Sequence, residues 1–109
     1  MKSDKKFIEK AMNAIADPCR LSIIEELNRK GQMCCSDVKL LTGLSQPTCS
    51  HHIKLLTDSR LIECRKEGRN HFISLNKDNF KKYLYKTQGR IYCKSSKLFK
   101  YFHNFHKHK

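Results

Sequence analysis

The segment from Leu44 to Leu56, Leu-Ser-Gln-Pro-Thr-Cys-Ser-His-His-Ile-Lys-Leu-Leu, narrows the possible folds more than any other stretch of the chain. Its spacing predicts a short turn that opens into a helix with two unlike faces. Ser45 suits the N-cap, and Pro47 falls in the first helical turn, where its missing N–H leaves nothing unsatisfied. Cys49, Ile53 and Leu56 recur at i, i+4 and i+7 and define an apolar stripe. The other side carries Pro47, Ser50, His51 and Lys54, joined by Gln46 and Thr48 at the N-terminal end. It offers hydrogen-bonding groups and a cation, with no acid. Behind a second short helix and a glycine turn, such a helix suits insertion into the major groove of DNA. An ordinary amphipathic surface helix shows the same two faces, so charge and context have to discriminate.

Charge favours the first reading. The 109 residues hold 23 Lys and Arg against 10 Asp and Glu, a formal net charge of +13. An excess of that size favours a polyanionic partner, because each phosphate neutralised releases condensed counterions. A merely basic soluble protein is the alternative. The length accommodates one small core and is too short for two domains. No apolar run approaches the roughly 18 residues needed to span a bilayer, so no membrane partner is expected. Met1 to Lys6 lacks the apolar core of a secretion signal. The six cysteines are therefore expected to be thiols or metal ligands in the cytoplasm, not a disulfide framework. A Cys-x-x-Cys, a Gly-rich phosphate loop and a paired-carboxylate motif are all missing, which argues against a small thiol oxidoreductase or another enzyme.

Around the central segment the chain predicts a mostly α fold with a small β-hairpin: a winged helix-turn-helix of about five helices and two strands, in one domain spanning 1–109. Phe7, Ile8, Ala11, Met12 and Ile15 mark a first helix ending near Ala16. Asp17-Pro18 is an N-cap followed by proline at the first helical position, and Leu21, Ile23, Ile24 and Leu27 supply the apolar face of a second helix stopped by Gly31. Ser36 or Asp37 is expected to cap a third helix bearing Val38, Leu40 and Leu41 and closed by Gly43. Residues 36–59 then form the helix-turn-helix. Ile62 and Cys64, and Ile73 and Leu75, alternate with polar residues as the inward faces of two strands over 61–75, a wing turning at Glu67-Gly68-Arg69. Arg65, Lys66, Arg69, Asn70 and His71 make its tip basic. A last helical pattern carries Phe80, Tyr83, Leu84, Ile91, Tyr92, Leu98, Phe99 and Phe102, weakened by Gly89. Residues 77–109 hold ten Lys or Arg and one acid, Asp78. So many large apolar groups exceed what one small domain can cover, so 1–16 and 77–102 are expected to form a homodimer seam. Residues 103–109 read as a frayed, solvated tail, not a histidine metal site.

These segments resemble the ArsR/SmtB family of bacterial winged-helix repressors over about residues 7 to 76. The likeness rests on Ala16-Asp17-Pro18-Cys19-Arg20-Leu21 with Ile24 and Leu27, on Leu44 through Leu56, and on Leu61-Ile62 with Arg65-Lys66-Glu67-Gly68-Arg69. It implies a homodimer that binds a palindromic operator in double-stranded DNA, represses neighbouring genes and is released by an inducer. Carried over by position, Ser45, Gln46, Thr48, Ser50, His51 and His52 would contact DNA from the recognition helix, and Lys54, Arg65, Lys66 and Arg69 would contact phosphates. Members that sense arsenic, cadmium or lead carry Cys-Val-Cys before the third helix. Here the triplet is Cys34-Cys35-Ser36, with Ser36 in place of the second ligand. The zinc site of other members is absent, because Lys77, Asn79, Arg90 and Cys93 stand at its positions. Cys93 is a thiol on the final helix, as in persulfide-sensing relatives. The expected inducer is arsenite or a soft divalent metal ion acting on Cys34, Cys35 and Cys93. A redox or persulfide response of the same thiols, or a DNA-binding module with no inducer, stay open beside it. Cys19, Cys49 and Cys64 are expected to be core fillers.

Overall fold

In a computed structural model of the chain, residues 2–87 are described, with side chains from Lys5 onward. The elements run α1 (Lys2–Ile15), α2 (Pro18–Lys30), β1 (Gln32–Cys34), α3 (Cys35–Thr42), α4 (Gln46–Asp58), β2 (Ile62–Glu67), β3 (Asn70–Leu75) and α5 (Lys77–Thr87). The expectations for Gly89, Ile91, Tyr92, Cys93, Leu98, Phe99, Phe102 and the tail lie outside the described residues.

The helix starts follow from local chemistry. Asp17 is extended at the N-cap of α2, and its Oδ2 accepts the Arg20 N–H at 3.0 Å, with Pro18 leading the helix. Ile23, Ile24 and Leu27 are fully buried and Leu21 nearly so. They join Ala11, Ala14 and Ile15 of α1, Met33 of β1, Leu56 of α4, Ile62, Ile73 and Leu75 of the sheet, and Phe80, Tyr83 and Leu84 of α5 in one core. At roughly 1.5–3 kcal/mol for each large side chain taken from water, this core is the main reason the short helices hold together.

The sheet departs from expectation. A third strand exists, and the order is β1-β3-β2, both pairings antiparallel. Met33 pairs with Ile73, and Ile73 with Cys64, so these three residues line up across one face. β1 has three residues, too few to show a period of their own, and it exists because β3 offers a free edge beside the turn at Gly31. The strand also moves the start of α3. Cys34 is the N-cap, with φ −74° and ψ 147°, in place of Ser36 or Asp37. Asp37 instead accepts the Cys34 backbone N–H at 3.4 Å. Leu40 and Leu41 are 84% and 40% exposed, while Val38 alone on α3 is fully buried. The eight-residue helix is too short to cover more than one flank.

The wing turns at Gly68, whose φ of 61° is a left-handed value that a glycine adopts without steric cost. Only Ile62 of β2 is buried. Cys64 is therefore exposed and not a core filler: it shares the inner face with Ile73, but β2 is an edge strand whose residues after Ile62 the other described elements leave exposed.

Candidate nucleic-acid interface and thiol cluster

The turn before α4 is set by α3. Gly43 is left-handed at φ 70° and ψ 11°, and its N–H closes onto the Lys39 carbonyl at 2.9 Å. Thr42 Oγ1 donates to the Val38 carbonyl at 2.8 Å and accepts the Leu44 N–H at 3.3 Å. Ser45 then caps α4 with an extended backbone, its carbonyl accepting the Cys49 N–H at 2.9 Å. Its hydroxyl does not bond the helix backbone but meets Thr48 Oγ1 at 2.9 Å.

The two faces of α4 separate as the spacing predicts. Cys49 and Leu56 are buried and Ile53 packs against the core. Cys49 Sγ also lies 3.5 Å from Thr42 Oγ1, tying α4 to α3. Ser45, Gln46, Pro47, Thr48, Ser50, His51 and Lys54 are all exposed, giving a continuous hydrogen-bonding surface one helix wide.

His52 belongs to the other face, which corrects its expected place among the DNA-contacting residues. It is 8% exposed, and its Nδ1 lies 3.0 Å from Arg20 Nη1. A guanidinium has no acceptor, so Nδ1 must accept, and in this bond the ring carries its hydrogen on Nε2. Arg20 also donates to the carbonyls of Ala14 at 2.7 Å and Asn13 at 3.2 Å. One side chain thus fastens the end of α1, the start of α2 and the middle of the recognition helix. Arg20 was missed as a functional residue because its bond to His52 spans 32 positions, a distance at which no local pattern operates. Asp17 completes the cluster, its Oδ2 lying 4.0 Å from His52 Nδ1. Burial works against its charged form, but the Arg20 N–H, the Arg20 guanidinium and the Cys19 N–H outweigh that and hold its carboxyl below the ordinary range. The ligand atoms of Asp17, Cys19 and His52 lie within 4.8 Å of one another. Arg20 already supplies the positive charge there, so the group serves as a structural clamp.

The wing adds cations. Arg65, Lys66 and Arg69 are exposed. Arg65 is held in place, with Nε donating to Glu67 Oε1 at 2.9 Å, Nη2 to Gln32 Oε1 at 3.2 Å and the guanidinium 5.6 Å from the Phe72 ring centroid. Lys54, Lys66 and Arg69 have no ion-pair partner among the described residues.

On the other side of the wing, Cys34, Cys35 and Cys64 gather. Cys34 Sγ accepts from Ser36 Oγ at 3.3 Å. Cys35 lies close enough to Cys64 for the two thiols to influence each other's charge. Burial, and then charge repulsion from Cys64 and Cys34, push the Cys35 thiol up to about 11. Cys93 lies outside the described residues.

A short helix, a glycine turn, a two-faced recognition helix and a basic hairpin define a winged helix-turn-helix DNA-binding protein. Residues 15–65 match a family model described as a helix-turn-helix domain. The chain is 38% identical over 71 residues to the arsenical resistance operon repressor of Staphylococcus xylosus, covering 65% of this chain and 67% of that one. A crystal structure of the ArsR family transcriptional regulator RHA00566 superposes with a TM-score of 0.67 at 26% identity, over 77% of this chain and 89% of that one. The solution structure of the homodimeric winged helix-turn-helix domain Mb0332 from Mycobacterium bovis shares the fold, with a TM-score of 0.64 at 22% identity over 75% of this chain and 76% of that one. The protein belongs to the ArsR/SmtB family of DNA-binding transcriptional repressors. No described helix is long and apolar enough to cross a membrane.

Proposed function

We propose that the protein is a homodimeric repressor that reads a palindromic operator and is released from it by a thiophilic inducer, arsenite or a soft metal ion. The observation that carries the DNA-binding part is the exposed face of α4 from Gln46 to Lys54, which holds no acid. In this reading Ser45, Gln46, Thr48, Ser50 and His51 meet base edges and the sugar-phosphate rim. Lys54, Lys66 and Arg69 neutralise phosphates, and Arg65 does so on giving up Glu67.

The seam is formed by residues 1–16 with 77–102. Its supports are Met12, 40% exposed on α1, the packing of α1 against α5 with Lys82 Nζ 5.5 Å from the Phe7 ring centroid, and the homodimeric state of the Mb0332 domain. A two-fold axis there sets the recognition helices about one helical turn of DNA apart, near 34–36 Å. The inducer acts through the thiols at the start of α3, Cys34 and Cys35, and the arsenical-resistance relative supports a metalloid.

The experiment is a titration of the chain's operator complex, followed by fluorescence anisotropy, with arsenite, cadmium, zinc and a persulfide donor. Release by arsenite or cadmium at stoichiometric dose is the expected result. Retention of DNA under all four would refute an inducible repressor, and failure to prefer any DNA sequence over another would refute the repressor itself.

A further inference from the structure

We propose that Cys35 and Cys64, with Cys34 at their edge, form a thiol site for a trivalent arsenical that ties the start of α3 to the wing strand β2. The sheet register builds it. Cys64 stands across β3 from Met33, through Ile73, so its side chain lies on the inward face of the sheet. Two residues after Met33 the chain leaves β1, and α3 packs against both β1 and β3. This turn sets Cys35, at the start of α3, on the face of the sheet that Cys64 shares, and the two thiols interact electrostatically. Cys34 is extended while Cys35 begins the helix, so the neighbours are not successive residues of one helix, whose side chains would diverge by about 100°. Cys64 is exposed and Cys35 half-buried, so a small solute reaches the pair from the solvent side of the wing.

The chemistry suits a neutral trivalent arsenical. A monosubstituted arsenical condenses with two thiols, RAs(OH)₂ + 2 CysSH → RAs(SCys)₂ + 2 H₂O. Each sulfur gains a bond to arsenic, each thiol proton leaves with a hydroxyl as water, and no oxidation state changes. Arsenite, As(OH)₃, condenses with the same pair in the same way, losing two hydroxyls as water and keeping the third. A divalent cation at the same pair must instead expel two protons to solvent, M²⁺ + 2 CysSH → M(SCys)₂ + 2 H⁺.

This site deepens the proposed function by naming Cys64, a residue of the wing, as the partner of the α3 thiols. Its regulatory meaning rests on that function, but its existence does not. The test uses phenylarsonous acid at one equivalent per chain on the reduced full-length protein. Intact mass spectrometry reads the adduct after challenge with excess glutathione, which strips arsenic held by a single thiol. Wild type and Cys93→Ser should keep one adduct per chain. Cys64→Ser and Cys35→Ala should lose it, with apparent affinity at least about 10²-fold weaker, because the second sulfur of a chelate acts at millimolar effective concentration. Cys64→Ser lies on an exposed edge strand, and an unchanged melting curve separates loss of the site from loss of the fold. A glutathione-resistant adduct on Cys64→Ser would overturn the site, as would binding of cadmium with none of the arsenical. Operator release is read separately: an adduct on wild type with the operator still bound upholds the site and refutes the inducer, while operator binding with no adduct refutes the site alone.

Discussion

Replacing His52 and His51 one at a time by alanine separates the scaffold of the recognition helix from its reading face. His52 is 8% exposed and accepts a 3.0 Å hydrogen bond from Arg20. A hydrogen bond to a charged group contributes about 1.5–3 kcal/mol. Truncation leaves Arg20 its bonds to Asn13 and Ala14 and partial access to water, so the lower part of that range applies. Loss of the ring's packing then brings the total for His52→Ala to about 2 kcal/mol. For a domain of this size that is roughly 8–16 °C in melting temperature. His51 is exposed, and His51→Ala should change stability by less than about 0.5 kcal/mol. Its effect should fall on DNA, where losing one base contact costs operator binding about 1–3 kcal/mol relative to random sequence. The assay pairs thermal unfolding with anisotropy titrations on operator and scrambled duplexes, well below the lower melting temperature. Unchanged melting of His52→Ala together with lost operator preference would show that His52 reads bases and that the clamp is misassigned.

Arg69→Ala should weaken operator and random DNA alike and make the salt dependence of binding shallower by about one counterion, measured as the slope of log affinity against log salt. Asp17→Ala should cost about 1 kcal/mol at neutral pH through the lost cap on α2, read by urea unfolding. Because the folded carboxyl titrates below its ordinary value of 3.8, its contribution is fully present above that pH and disappears as pH falls through the folded value; an equal Asp17→Ala penalty at neutral and strongly acidic pH would contradict this. Gly43→Ala should destabilise by roughly 1–2 kcal/mol from backbone strain at φ 70°, since an added Cβ meets nothing within 4 Å there. A melting temperature equal to wild type would remove that role for Gly43.

What could be read in the sequence was whatever is encoded within about one helical turn. Asp17-Pro18, Ser45 with Pro47, Gly43 and Gly68 each announce their backbone by their own stereochemistry, and each stands where its type requires. The stripe of Cys49, Ile53 and Leu56 is a periodic signal and also holds. The failures share a different cause. β1 is a strand only because β3 pairs with it, and without it the start of α3 is displaced. Leu40 and Leu41 look apolar in the sequence, yet an eight-residue helix has only one flank against the core. His52 sits in a segment of polar residues, so its sequence context gives it the outward role of its neighbours. Its burial depends on Arg20, fastened from another helix. Cys64 alternates correctly with Glu63 and Arg65. Alternation gives the face but not how well it is covered, and on this edge strand the other described elements leave Cys64 exposed.

That uncovered position links the thiols to DNA binding. A winged helix-turn-helix reaches the duplex with α4 and the hairpin together, so the angle between them is part of its affinity. α3 sets the turn into α4 through Thr42 and Gly43, and β2 carries Arg65 next to Cys64. An arsenic bridge from Cys35 to Cys64 would draw β2 and α3 together and so change that angle. Moving a complex from about 99% bound to about 99% free requires roughly 5.5 kcal/mol of differential affinity. In a homodimer the requirement is shared by two sites, about 2.7 kcal/mol each, which is comparable to one or two lost phosphate or base contacts per subunit. A displacement of the wing that removes the phosphate contacts proposed for Lys66 and Arg69 in each subunit would therefore be sufficient, with no rearrangement of the core around Ile23, Ile24 and Leu27.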